Sequence, residues 1–224
     1  QAIKPKPCPI TADSIAAQLI SNGRFPDADR SFTRKTTGEV NALRRAPSAD
    51  LNLSGDFTND EMVSAIKHLK PNKAPGIDNI HPEFILHQGS KATEWLRTFC
   101  SVCFRTSKLP KKWRRAKVIA LLKPNKPVDD PKGYRPIALL CVPYKIMERL
   151  LHARLDPVID PILPKEQAGF RRGKSTVDQV TLLTQDIEDS FQRGEKAGVV
   201  LLDLTAAYDT VWLRGLHLKL LQTI

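Results

Sequence analysis

At 224 residues, 41% of them hydrophobic, the chain can bury a core of its own, and no apolar run approaches membrane-spanning length. The 35 Lys and Arg against 24 Asp and Glu leave a net charge of +11. That balance suits a polyanionic partner, nucleic acid first among them, with a solubilising surface as the plainer alternative. The polar, proline-rich stretch Gln1 to Pro9 lacks the pattern of a secretory leader, and the missing initiator Met implies a piece of a longer chain.

In chain order, Thr11 to Asn22 has helical spacing, with Ile15, Leu19 and Ile20 on one face. Residues 24–57 mix charge, Pro, Gly and Ser without periodicity and read as a linker or irregular extension. Order begins at Thr58-Asn59-Asp60-Glu61, a capping box, and Met62, Ile66 and Leu69 continue the helix to Lys70-Pro71. A tight basic turn follows over 72–78, and a second helix starts near His81-Pro82-Glu83. Such a turn is architecture first, although Lys70 and Lys73 are placed to face a phosphate backbone. Residues 91–107 predict another amphipathic helix, with Trp95, Phe99, Val102 and Cys103 as its apolar face. Cys100 and Cys103 have CxxC spacing there, but two further ligands are lacking, so reduced core thiols are the preferred reading over zinc.

A basic cluster from Lys108 to Lys117, with Trp113 inside it, leads into a strand over Val118 to Leu122. A loop returns at Tyr134 to Leu140, a second strand. In an antiparallel hairpin Lys123 leaves the first strand beside Arg135, which enters the second. Two fixed cations there suit a polyphosphate, with Arg offering a bidentate fork; an exposed hairpin with solvated ends is the alternative. Pro143 opens a helix through Leu155 that buries Ile146, Met147, Leu150 and Leu151, and Pro157 to Pro164 reads as a linker. Gln167 to Thr176 is a glycine-punctuated basic loop with one aromatic; Gly169 and Gly173 stand too close for a Walker loop. It opens a helix with Val180, Leu183, Ile187 and Phe191 on one face.

Gly198 and the run Val199-Val200-Leu201-Leu202 predict a strand buried on both faces, ending on Asp203. A carboxylate at the mouth of such a strand is costly to desolvate unless a cation or donors meet it. Asp203 is therefore a metal ligand or a helix N-cap, since Leu204 to Trp212 place small and aromatic residues at helical spacing.

Taken together, these segments resemble the reverse transcriptase of non-LTR (LINE-type) retrotransposons, and more distantly that of group II introns. The resemblance runs from about Phe57 onward. It rests on Ala65-Ile66 through Lys73-Ala74-Pro75-Gly76-Ile77-Asp78, on Lys123 to Lys126, and on Tyr134-Arg135-Pro136-Ile137. Gln167 to Arg171 with Ser175-Thr176, and Leu202-Asp203 through Ala207-Tyr208-Asp209, complete the order. It implies an α+β chain with the right-hand polymerase fold: residues 1–56 an extension, residues 57–224 the fingers and the first part of the palm. Asp203, helped by the main-chain carbonyl of Leu204, is implied as a ligand of two catalytic Mg2+ ions. Lys123 and Arg135 are implied to hold the incoming triphosphate, and Tyr208, where the family often has Phe, to exclude a ribose 2′-hydroxyl. Gln167, Gly169, Arg171 and Lys73 are implied contacts to the RNA template and DNA primer.

The implied reaction is phosphoryl transfer from a deoxynucleoside triphosphate to a primer 3′-hydroxyl. The Tyr/Phe-Ala-Asp-Asp hairpin that completes such a metal site is absent from these 224 residues. The chain alone is therefore expected to be inactive, with the rest of a polyprotein (palm, thumb and an accompanying endonuclease) as its partner. The strand at Val199 to Leu202 is expected to lack neighbours and to be sticky. A non-catalytic nucleic-acid-binding remnant or maturase-like factor is the alternative function. The implied compartment is intracellular and nuclear, because such elements act on chromosomal DNA.

Overall fold

The computed structural model describes residues 10–22, 29–45, 53–204 and 206–223, a mixture of helices with one two-stranded sheet. Three helices enclose the main core: α3 (Asn59–Lys67), α5 (Ser90–Thr106) and α6 (Val142–Ile159), numbered after α1 (Ala12–Asn22), α2 (Arg30–Leu43) and α4 (Pro82–Leu86). Phe57, Met62, Cys100, Val142, Ile146 and Leu150 are almost completely buried between them. The capping box forms as expected, Thr58 Oγ1 accepting from Glu61 N and Glu61 returning a bond to Thr58 N.

Glu61 has a second task. Arg154 of α6 donates to both of its carboxylate oxygens, at 2.6 and 2.9 Å, and to the carbonyls of Leu53, Gly55 and Asp56. The guanidinium also lies 4.4 Å from the Phe57 ring centroid, so one side chain ties α6, α3 and the segment leading into α3 together. This partner, first among the causes, pulls the Glu61 carboxyl down to about 2. A folded value below the unfolded one means the stability is present above the unfolded value, near 4.5, and is lost as pH falls toward 2. Acid should therefore cost the wild type about 1–2 kcal/mol between those limits, allowing for solvent screening at the pair's open edge. Urea midpoints of wild type and Glu61→Gln, measured down the pH scale, should converge as pH drops.

The α5 face is corrected by one residue. Leu96, Cys100 and Cys103 are buried, with Ser101 beside them, whereas Trp95 is 64% exposed and stacks on Phe99 at 5.1 Å. Both stripes repeat at i, i+4, i+7, so periodicity alone does not choose between them. The small thiols and hydroxyl win because they let the Phe57 backbone close in, its N–H donating to Ser101 Oγ at 2.9 Å. Burial pushes the Cys100 thiol up to about 12, with Cys103 adding to the shift. These are inert core thiols, as the sequence suggests.

Beyond the core, β1 (Lys117–Leu122) and β2 (Tyr134–Leu139) form the expected antiparallel hairpin, with Leu122 opposite Tyr134 and Leu121 opposite Arg135. Pro157 is corrected from linker to helix: α6 continues through it to Ile159, because a proline in the last turn forfeits one hydrogen bond only. Within residues 24–57, read as irregular, α2 is a helix capped by Asp29 that buries Thr36 and Val40. α7 (Thr176–Gln192) forms as expected, but Val180, Leu183 and Phe191 stay 63%, 40% and 64% exposed rather than packed. The strand expected at Val199 to Leu202 does not form; Val200, Leu201 and Leu202 are more than four-fifths exposed. A buried strand takes its hydrogen bonds from neighbours, and none lies beside this run among the described residues. A turn then leads into α8 (Leu213–Thr223), which packs on α2 through Phe32 and Trp212, ring centroids 5.3 Å apart.

Candidate functional site

The hairpin does for Lys123 and Arg135 what the sequence predicts. Lys123 N donates to Gly133 O at 2.8 Å, which extends the ladder one step past β1. Lys123 then stands opposite Gly133, two positions from Arg135, so both side chains leave the same face as diagonal neighbours. Gly133 is buried, and a side chain there would press on Lys126 and Pro127 at 3.2 Å, which keeps the turn narrow. The Lys123 ammonium donates to Lys132 O at 3.0 Å and remains otherwise open, and the Arg135 guanidinium makes no hydrogen bond or ion pair among the described residues. The hairpin thus presents two cations on one exposed face.

The basic loop is organised differently from its expected role. Arg171 bonds Asp160 Oδ1 at 2.8 Å, Asp160 O at 3.0 Å and Pro164 O at 2.8 Å, and its side chain is only 13% exposed. This guanidinium is a clasp that folds the loop back on the end of α6. Gln167 bonds Gly169 O at 3.3 Å, and both line an open cleft of about 410 Å³ with His152, Asp156 and Asp160. The clasp holds Phe170 out at 96% exposure with φ of 61°, a backbone strained for an aromatic residue. Phe170 meets Tyr208 edge to face, ring centroids 6.1 Å apart. The glycine loop and the motif around Asp203 are therefore neighbours in space, joined by two exposed aromatics.

Asp203 and Leu204 are exposed and lie in neither strand nor helix, so the N-cap reading of Asp203 is ruled out. The Asp203 carboxylate makes no hydrogen bond or ion pair among the described residues. Its oxygens, with the Leu204 carbonyl, are the hard donors that magnesium prefers. No group of three His, Cys, Asp or Glu stands close enough to share a metal ion among the described residues, so these donors alone do not make a metal centre. Lys73 is exposed in the turn before Gly76.

Residues that sequence reasoning passed over are Arg154, Asp160 and Asp178. The last had a readable signal, because Ser175-Thr176-Val177-Asp178 is a capping box and forms as one at the start of α7. The other two act across distance in the chain and leave no local pattern.

Residues 121–222 match the model of the family described as reverse transcriptase (RNA-dependent DNA polymerase). Over these residues the chain is similar to the reverse transcriptase family. The span holds Lys123, Arg135, the glycine loop, Asp203 and Tyr208; Lys73 and α1 to α5 precede it. The chain is 39% identical over 162 residues to the probable RNA-directed DNA polymerase from transposon BS of Drosophila melanogaster, covering 71% of this chain and 18% of that protein. It is 31% identical over 215 residues to the probable RNA-directed DNA polymerase from transposon X-element of the same fly, 95% of this chain and 23% of that protein. The RNA-directed DNA polymerase from mobile element jockey of Drosophila funebris is 32% identical over 164 residues, 72% of this chain and 18% of its own length. The chain spans about a fifth of the length of these relatives. The relatives it resembles are RNA-directed DNA polymerases of non-LTR retrotransposons, and a reverse transcriptase domain implies the polymerase fold. Among the described residues, no helix is long and apolar enough to cross a membrane.

Proposed function

We propose that this chain is the fingers and opening palm of an RNA-directed DNA polymerase of a non-LTR retrotransposon. In this reading it acts within a longer polypeptide, adding deoxynucleotides to a primer 3′-hydroxyl on an RNA template. The observation that carries the reading is the pair Lys123 and Arg135 on one face of a hairpin inside the reverse transcriptase span. Two cations one pleat apart match the oxygens of a triphosphate, and the guanidinium fork fixes its orientation. Tyr208, in reach of Phe170, would close the sugar side of the pocket and exclude a 2′-hydroxyl. Asp203 and the Leu204 carbonyl would contribute oxygen ligands to magnesium, with the remaining carboxylates coming from outside these residues. Divalent ions would neutralise charge on the transferring phosphate when bound. Gln167, Gly169 and Lys73 would line the template-primer, while Arg171 would act on it indirectly by clasping the loop.

The test is primer extension on an RNA template by a polypeptide that contains this chain and the rest of the polymerase. Lys123→Ala and Arg135→Ala should each raise the KM for deoxynucleoside triphosphate by about tenfold or more, the weight of a charge-assisted hydrogen bond. Unchanged KM in both variants would remove the hairpin from the nucleotide site.

A further inference from the structure

Outside the hairpin and the palm motif, α2 and α8 frame an open cleft of about 540 Å³ lined by Arg30, Thr33, Arg34, Thr37 and Arg214. On α2 the first four fall at i, i+3, i+4 and i+7, one continuous stripe beside the stripe of Thr36 and Val40 that the helix buries. Arg214, on the first turn of α8, reaches across and donates to Thr37 Oγ1 at 2.7 Å. Gly215 beside it has no room for a side chain because the Trp212 ring lies against its backbone.

Among the described residues, the guanidinium groups of this cleft have no ion-pair partner. Arg30 and Arg34 make no hydrogen bond or ion pair among the described residues, and the first turn of α2 contains no acidic residue. Asp29, the carboxylate next in sequence, is used as the N-cap, accepting from Ser31 N and Ser31 Oγ at 2.8 Å. Two arginines at i and i+4 near the positive end of a helix work against that helix. Adding a third guanidinium from another helix compounds the repulsion. An anion seated between them reverses the sign of all three terms, and the threonine hydroxyls supply neutral donors between the forks.

We infer that the α2–α8 cleft is a binding site for a nucleic-acid phosphate backbone, separate from the triphosphate face of the hairpin. The proposed polymerase reading supplies only the identity of the polyanion; the anion site itself stands on the three guanidinium groups. The cleft is open rather than enclosed, and its stripe runs along a helix, which matches a chain of phosphates passing through better than one trapped ion.

The experiment is fluorescence anisotropy of a short labelled single-stranded RNA with this chain, from low to physiological salt. The double variant Arg30→Ala/Arg34→Ala should weaken binding about tenfold and lower the log-log salt slope by about 1.4, two phosphates at roughly 0.7 each. Because neither side chain bonds another part of the protein among the described residues, and removing both relieves their repulsion, its thermal unfolding should come no lower than wild type. Arg214→Lys keeps the charge while losing the fork, and should fall between. Wild-type affinity and slope in the double variant overturn the proposal, as does failure of the unmodified chain to bind RNA at low salt. Inorganic pyrophosphate is titrated in parallel: tight binding of it, lost in the double variant while RNA binding is not, makes this a small-anion site and also overturns it. None of these outcomes depends on primer extension, so the polymerase reading fails or survives on its own assay.

Discussion

Gly76→Ala should destabilise the chain by about 3 kcal/mol, the upper end of ordinary overpacking, seen as a lower urea midpoint with an unchanged slope. A side-chain carbon at Gly76 would stand 2.6 Å from Leu140 C and 2.7 Å from Cys141 Cα, and would press on Cys141 N as well. Those neighbours are main chain and have no rotamer to swing away. They are also fixed from the far side, since Cys141 caps α6 and the next turns bury Val142, Ile146 and Met147 in the core. The strain therefore passes straight into the helix that carries Arg154. Gly38→Ala is the contrast: Gly38 lies inside α2 with nothing within 4 Å, so alanine there should stabilise by about 0.5–1 kcal/mol. Equal midpoints for Gly76→Ala and wild type would mean that the turn does not rest on the start of α6.

This contact also explains the Ala74-Pro75-Gly76-Ile77-Asp78 turn better than its basic charge does. The turn backs closely onto the main chain at the N-terminus of α6, and Lys73 is carried on its exposed rim.

What was legible in the sequence was what local chemistry decides. The Thr58 box, the helix start at Pro82, the entry of α6 at Pro143 and the β1–β2 hairpin each need only a few adjacent residues, and each appears where its pattern lies. Elements that need a distant partner were not legible. α2 carries a mixed stripe of Phe32, Thr36 and Val40 with a glycine inside it; its covering helix, α8, lies far along the chain. The Val199 to Leu202 run shows the reverse error, a strong strand pattern whose ladder partners are not among the described residues. The site divides in the same way. The Lys123–Arg135 pairing follows from hairpin register, but a basic loop reads alike whether its arginine faces solvent or, as Arg171 does, turns back on Asp160.

Asp203→Asn, in a polypeptide that carries the rest of the polymerase, should reduce primer extension by on the order of a thousandfold, about 4 kcal/mol of lost barrier stabilisation. Asparagine keeps the shape and removes the anion, which is the property a magnesium ligand supplies. Stability should not change, because the exposed carboxylate makes no hydrogen bond or ion pair among the described residues. RNA affinity should not fall either, since a lost negative charge does not weaken binding to phosphates. A thousandfold loss with fold and affinity intact separates chemistry from scaffolding. The 224-residue chain by itself should extend no primer, with or without the substitution, because one carboxylate and one carbonyl do not hold two ions in register. Extension by the chain alone would show that the donor set is already sufficient. Absence of extension from the long polypeptide with Asp203 intact would instead favour the non-catalytic reading, in which the same basic surfaces hold nucleic acid and copy nothing.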